Sequence, residues 1–440
     1  MLPQRADIVI VGGGPAGSMT AYHLAKAGAN VAVIDRSRFP RPKACGGGVQ
    51  LRSLAHIPFD ISPVVQNTMV GISFSYKLNS LRNRFTKLFV EQGNGTPKPL
   101  VYGVLRSEFD NFLLERAESV GAKLYQATAV TGIERCGSSL RVLTRGAADF
   151  ECRFIVGADG ANSIVTRELN RRDAFFTQVG IYSEIPRELI RPHSVDDAVM
   201  RIDWGTLPTG YAWVFPKRDT INVGVGGPEP LARELQTYFS EFLLSDELID
   251  VSSLQKVQCR GHKLPTMTLG TRLAADGILL VGDAAGLVEP LTGDGISHAL
   301  HSAHLAANTI IRALDSSDAD ISEYNRLVRR SIWPDLMHAR GLLTALNTFP
   351  HMFHRMFSKN ESPWRGFCRV LRGDDDPDTG IKYTYQYFRA KKLGAFKFIW
   401  PAIDRFTEAY TGERIRRGDA KETGFQRIIG SVVGPLIERI

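Results

Sequence analysis

The first hydrophobic run, Asp7–Val11 (DIVIV), is β-branched and shows no alternation, the pattern of a strand buried on both faces. Ser18–Ala27 then places Met19, Tyr22, His23 or Leu24, and Ala27 at helical spacing and stops at Gly28. A second strand, Asn30–Ile34, leads to Asp35, so the first 35 residues read as one βαβ unit, followed by a Pro-, Arg- and Gly-rich loop, Arg36–Gly48. Val70–Phe74, Arg84–Val90 and Leu100–Val104 read as short strands, and Glu108–Val120 as a helix with Phe109, Phe112, Leu113 and Ala117 on one face. Lys123–Ala127, Leu140–Thr144 and Phe150–Val156 read as further strands. Gly180–Gly226 is strand-rich, with Tyr211–Phe215 and Thr220–Val225 as a hairpin pair. Gly277–Val281 is another buried strand and Gly293–Leu314 a long helix. From Ile321 the pattern is helical, with a polar break at Gly373–Gly380.

Nucleotide-type elements thus stand at the start, in the middle and near residue 280, interleaved with antiparallel strands. The expected class is α/β: a discontinuous Rossmann-like domain over 1–70, 101–178 and 270–320, an inserted antiparallel β-sheet substrate domain over 71–100 and 179–269, and a C-terminal helical region over 321–440. No repeat or low-complexity tract interrupts it.

The chain has 440 residues, 43% hydrophobic and 23% charged, which argues against collagen-like, disordered and polytopic membrane classes. A net charge of +8 suits an anionic partner without selecting one. Cys45, Cys136, Cys152, Cys259 and Cys368 are odd in number and lack CxxC spacing, so neither a disulfide framework nor a metal site is expected, and a reducing, cytoplasmic setting is. The N-terminus lacks the features of a signal peptide. The longest apolar stretches, Gly277–Val288 and Ile428–Ile437, fall short of the ~20 residues that span a bilayer. Any membrane contact is expected to be peripheral, on the cytoplasmic face.

Candidate chemistry starts at Gly12, Gly14 and Gly17, a GxGxxG between strand and helix. Gly12 makes the tight turn, Gly14 lets backbone approach a pyrophosphate, and Gly17 lets helix and strand pack, while the helix N-terminus offers N–H groups. Asp35 stands where a carboxylate accepts a ribose hydroxyl. A glycine turn in a purely structural βαβ is the bland alternative. Two further strand–turn segments, Phe154–Arg167 (FIVGADGANSIVTR) and Gly277–Ser297 (GILLVGDAAGLVEPLTGDGIS), choose FAD over NAD. Asp283 can bind ribityl hydroxyls there, and the helix after Gly293–Gly295 points its positive end at a reduced, anionic ring.

Together these three motifs resemble the flavoprotein group of aromatic-ring hydroxylases, flavin halogenases and geranylgeranyl reductases, over roughly residues 5–330. Within it, KACGGGV (Lys43–Val49) and PTGYAWVFPK (Pro208–Lys217) resemble the reductases' Cys-Gly-Gly and Y-x-W-x-F-P signatures. Gly286 stands where hydroxylases commonly carry histidine, Ser163 and Arg167 are four apart rather than three, and no G-W-x-W-x-I halogenase string occurs. The chain is therefore similar to a geranylgeranyl reductase.

That resemblance implies FAD bound by Gly12, Gly14, Ala16, Gly17, Asp35 and Arg36 at its nucleotide end. Cys45, Gly46, Gly47, Arg106, Val130, Asp159 and Gly160 are implied along its length, and Gly282, Asp283, Pro290, Gly293, Gly295 and Ile296 at the ring. For Arg106 a surface salt bridge is the alternative. Cys45 is implied to orient or protonate, its alternative being a small buried hydrophobe. Tyr211, Trp213 and Phe215 project to one face of a strand at period two, a wall suited to an isoprenoid chain, or else an ordinary core face. The implied reaction saturates isolated double bonds of a polyprenyl lipid or prenyl diphosphate, by hydride from the flavin and a proton beside it. No second GxGxxG supplies a nicotinamide domain, so the implied electron donor is transiently bound NAD(P)H or reduced ferredoxin. A flavin monooxygenase acting on a hydrophobic substrate and a non-catalytic flavin or lipid carrier are the other readings.

The last 90 residues carry most of the net positive charge. Ile381–Trp400 interleaves aromatic and basic residues, and Phe425–Ile440 holds an apolar helical stripe. An interfacial helix and a helical cap are equally expected. Without a recognised binding motif, no nucleic acid is.

Overall fold

The structure is a computed structural model that describes residues 3–76, 85–93, 95–169, 175–204, 210–268, 270–316, 320–348, 353, 357 and 359–375. The expectations for Ile381–Trp400 and Phe425–Ile440, and most of the break at Gly373–Gly380, lie outside the described residues.

The non-alternating runs become a six-stranded sheet in the order Lys123–Tyr125, Val31–Ile34, Ile8–Val11, Phe154–Gly157, Ile278–Leu280, Ala274–Ala275. The first five strands are parallel and the last antiparallel. Helices Pro15–Lys26, Arg106–Ser119 and Ile296–Asp315 pack together with this sheet, as does a small sheet of Gln4–Arg5, Phe150–Cys152, Ser139–Arg145 and Ala129–Cys136. Cover on both sides is what lets Ile8–Val11 be apolar at every position.

One element departs from expectation. Phe150–Val156 is not a single strand: Phe150–Cys152 belongs to the small sheet and Phe154–Gly157 to the parallel one. The change of sheet occurs at Arg153, whose backbone N–H bonds the Asp7 carbonyl and whose Nη2 bonds the Ala313 carbonyl at 2.7 Å. The sequence pattern does not reveal the switch, because Phe150, Cys152 and Phe154 are buried and Glu151 and Arg153 are not, the alternation of one continuous strand.

The second large sheet has seven strands, in the order Arg260–Met267, Phe175–Pro186, Thr220–Pro228, Tyr211–Pro216, Val199–Trp204, Gly71–Tyr76, Phe85–Val90. All neighbours are antiparallel except Val199–Trp204 and Gly71–Tyr76. Period two sorts its faces. Ala212, Val214, Ile221, Val223 and Val225 pack on helix Glu234–Ser245, which is absent from the sequence reading although Leu235, Tyr238, Phe239, Phe242 and Leu243 keep helical spacing. The intervening residues face the other way, into the interior between the two large sheets. The Ser362–Arg372 helix covers part of that face, with Trp364, Cys368 and Leu371 packed on Ile72 and Met200. A buried Arg372–Glu91 ion pair of 2.7 Å ties the helix down.

Candidate functional site

Where the parallel strands end, the chain must turn at once into its helix. A Cβ on Gly17 would stand 1.9 Å from the Gly12 carbonyl oxygen, so any larger residue would push helix and strand apart. The helix begins at Pro15 with no side-chain cap and no acid in its first turn, leaving its positive end to whatever anion lies before it. Asp35 is pinned by the N–H of Gly13 on Oδ2 and that of Ser37 on Oδ1, both at 2.8 Å. Helix Ile296–Asp315 begins after Gly295, and one of its first N–H groups, that of Ser297, is taken by Asp294 Oδ1 at 3.1 Å.

Charge collects between these helix ends. Asp283 lies 3.2 Å from His262 Nε2, and Lys43 Nζ stands 2.5 Å from the same nitrogen. Burial works to raise the Asp283 carboxyl, but the His262 bond and the Lys43 charge outweigh it and hold it below the usual range. Burial brings the Lys43 ammonium down to about 8 against the pull of Asp283. Arg106 forms a bidentate pair with Asp110, Nε to Oδ1 at 2.7 Å and Nη2 to Oδ2 at 2.9 Å, and Arg41 reaches the same carboxylate at 3.2 Å. Arg106 is therefore no surface residue. Burial opposes its charge, yet Asp110 and Cys45 raise it above its ordinary value. Burial also raises the Asp159 carboxyl, and its oxygens are taken by Ser163 Oγ at 2.5 Å and the Ile164 N–H at 2.7 Å.

The Cys45–Gly47 turn faces the Tyr211–Pro216 strand. A Cβ on Gly46 would lie 3.0 Å from the Phe215 ring and 3.2 Å from Trp213 Nε1, so turn and aromatic ribbon are in direct contact. The turn is closed by the Gly47 N–H on Cys45 Sγ at 3.3 Å and by the Val104 N–H on the Gly47 carbonyl at 2.8 Å. Tyr182 holds its approach by donating to the Lys43 carbonyl at 3.1 Å. Tyr211, Trp213 and Phe215 follow one another along the strand, tilted by 51° and 39°, with ring centroids 5.8 and 6.5 Å apart. The Tyr211 hydroxyl donates to the Thr292 carbonyl at 2.5 Å, joining the ribbon to the loop before the long helix.

Most of these residues line one cavity of about 1280 Å³. Single-ligand pockets hold roughly 300–1,000 Å³, so there is room for two ligands. One part of its wall is polar, from Asp35, Arg36 and Val130 past Gly12, Gly14 and Ala16 to Gly282 and Asp283. The other is apolar, with Ile72, Phe74, Met200, Trp204, Leu346 and Phe357. Cys45, Gly46, Gly47, Arg106 and the ring of Trp213 belong to the same wall, as do Asp159, Gly160, Gly293, Gly295 and Ile296. Two sequence candidates are not on it. Gly17 is buried behind the turn, where it serves packing, and Pro290 is buried behind the Leu291–Gly295 loop. The uncapped helix end at Pro15, the glycine cradle and the polar part of the wall fit FAD.

Lys43, His262, Asp110 and Tyr182 escaped the sequence reading. Lys43 had a signal in its place beside Cys45, and Asp110 in its place one helical turn after Arg106; His262 and Tyr182 depend on partners distant in the chain.

An FAD binding domain family model matches residues 5–184. The chain is 34% identical over 331 residues to an uncharacterized protein of Methanosarcina barkeri, covering 75% of this chain and 80% of that one. It is 32% identical over 377 residues to a menaquinone reductase of Mycobacterium tuberculosis, covering 78% and 85%. Against a digeranylgeranylglycerophospholipid reductase of Methanocaldococcus jannaschii it is 29% identical over 346 residues, covering 75% and 84%. A geranylgeranyl bacteriochlorophyll reductase-like protein of Thermoplasma acidophilum shares its fold, with a TM-score of 0.70 at 21% identity, covering 91% of this chain and all of that one.

Proposed function

The chain belongs to the geranylgeranyl reductase family of FAD-dependent oxidoreductases, and from that premise we propose that it saturates isolated double bonds of a polyprenyl chain. The observation that supports this reading is the contact between the Cys45–Gly47 turn and the Trp213–Phe215 rings inside a cavity that continues into an apolar arm. An isolated alkene has no carbonyl for the protein to polarise, so catalysis rests on position and on a proton delivered beside the attacked carbon. The names of the relatives, menaquinone reductase and digeranylgeranylglycerophospholipid reductase, fit a prenylated lipid substrate.

FAD would be held by Gly12, Gly14, Ala16 and Asp35 at one end and by Asp283 and Gly293–Ile296 at the other, and its reduced form supplies hydride to one alkene carbon. With FAD bound, the Lys43 ammonium would supply positive charge to balance the negative charge of its reduced form. Ile72, Phe74, Met200 and Phe357 exclude water and bind the chain by burial of its apolar surface. Tyr211, Trp213 and Phe215 form the wall beside the reacting carbons and offer their ring faces to positive charge building there. The Cys45 thiol delivers a proton to the neighbouring carbon and recovers one from solvent. NAD(P)H or reduced ferredoxin returns the electrons.

The test is anaerobic. FAD-loaded protein is reduced with dithionite, freed of excess reductant and mixed with a geranylgeranyl lipid. Flavin reoxidation with a product two hydrogens heavier is the expected result. A flavin that stays reduced until oxygen is admitted, with the lipid unchanged in mass, would sink the proposal.

A further inference from the structure

Behind the aromatic ribbon lies a buried polar network that the reaction as described does not use. Lys217 is 1% exposed and Asn222 fully buried. Lys217 Nζ donates to Glu184 Oε1 at 2.5 Å, Asn222 Nδ2 donates to the same oxygen at 2.8 Å, and Thr220 Oγ1 donates to Glu184 Oε2 at 3.0 Å. Asn222 Nδ2 also reaches the Cys45 carbonyl at 3.2 Å, while its Oδ1 accepts the Trp213 indole N–H at 2.7 Å. An indole nitrogen can only donate and a backbone carbonyl can only accept, so the orientation of the Asn222 amide is dictated by its partners. Strand register fixes the arrangement, since Asn222 stands opposite Glu184 on one side and Phe215 on the other.

A buried ammonium and amide cost stability that well-packed apolar residues would not. This network runs between two elements far apart in the chain, the Cys45 turn and Trp213. We propose that Asn222 is a positioning residue that locks the Cys45 turn to the Trp213 ring, with Glu184 and Lys217 holding its amide in place. The ammonium adds a second brace, since a Cβ on Gly47 would come within 2.9 Å of Lys217 Nζ. The proposal rests on the reading that turn and ring flank the reacting carbons.

The test uses the full-length, FAD-loaded protein and Asn222→Asp, which keeps an acceptor for Trp213 but loses the donor to Cys45. Alkylation of Cys45 by iodoacetamide, read by peptide mass spectrometry against Cys136 in the same molecule, is expected to speed up about tenfold once the hydrogen bond is gone. Turnover of a prenyl substrate is expected to lose about 10–100-fold in kcat, with KM and FAD content held, because the turn drifts while the binding arm does not. Should Asn222→Asp fail to fold, Glu184→Gln loosens the same amide from a partly exposed position, and faster Cys45 alkylation is again expected. A folded variant of either kind that alkylates Cys45 at the wild-type rate overturns the proposal. If the wild type reduces no prenyl substrate, the reading of function fails, and the alkylation arm still decides whether Asn222 holds the turn.

Discussion

Replacing Gly47 by alanine puts the turn under a load that can be worked out. Gly47 sits at φ +72°, a left-handed conformation that costs an L-residue about 1–2 kcal/mol. Its new Cβ would stand 2.2 Å from the Val104 carbonyl oxygen, well inside the 3.0 Å that real Cβ atoms keep. Val104 cannot yield easily, because the Val101–Val104 strand is paired on both sides, with Gly48–Gln50 and Val65–Met69. The turn itself must therefore move by nearly 1 Å, taking Cys45 with it. The expected loss is about 2–3 kcal/mol of stability from the φ strain and the displaced bonds. A displacement of that size also predicts about a 10²-fold slower single-turnover reoxidation of the reduced flavin by a prenyl substrate. Gly46→Ala is the control. The nearest atoms to its Cβ would be those of the Phe215 and Trp213 side chains, at 3.0–3.2 Å, and these can shift by a few tenths of an ångström for about 1 kcal/mol. Urea unfolding, flavin content and stopped-flow reoxidation are measured on both variants. If Gly47→Ala matches Gly46→Ala in stability and rate, the turn is not braced as described and the reasoning fails.

Cys45→Ala should keep its FAD and lose about 10²–10⁴-fold in turnover if the thiol delivers the proton, and unchanged turnover would remove Cys45 from that role. Burial raises the Glu289 carboxyl to about 7, against the bonds from Thr292. Between pH 4.5 and about 7 the folded protein then holds a proton that the unfolded chain has lost, so stability falls as pH rises across that window, by about 3 kcal/mol from this group. Thermal unfolding of Glu289→Gln across the window should lack that decline, and a wild-type slope in the variant would contradict the assignment. Leu346→Trp narrows the apolar arm and should cut turnover of a geranylgeranyl chain about tenfold or more while sparing a geranyl chain, as judged by kcat/KM on the two substrates. Equal losses on both would show that Leu346 does not face the far end of the substrate.

Residues that are neighbours in the chain carried their meaning openly. The Ile8–Val11 strand, the glycine turn and the Pro15–Lys26 helix are consecutive, so composition and spacing identify them and the phosphate-type site they build. The Tyr211, Trp213 and Phe215 wall follows from the two-residue period of one strand. Helix Glu234–Ser245 is equally legible, because Leu235, Tyr238, Phe239, Phe242 and Leu243 keep helical spacing. Other features were beyond any local pattern. Lys43 meets His262 from 219 residues away, Asn222 reaches Cys45 from 177, and Arg52 pairs with Asp294 and Asp335 from 242 and 283. Arg153 marks where one alternating run divides between two sheets, and Trp364 of the late Ser362–Arg372 helix packs on Phe74 in the apolar part of the cavity at a ring distance of 5.1 Å. Hydrophobic period and turn chemistry act over a few residues and are written in them. How Lys43 is buried beside His262 and Asp283, which amide locks the cysteine turn and where the cavity ends depend on groups that meet only when the two sheets close on each other.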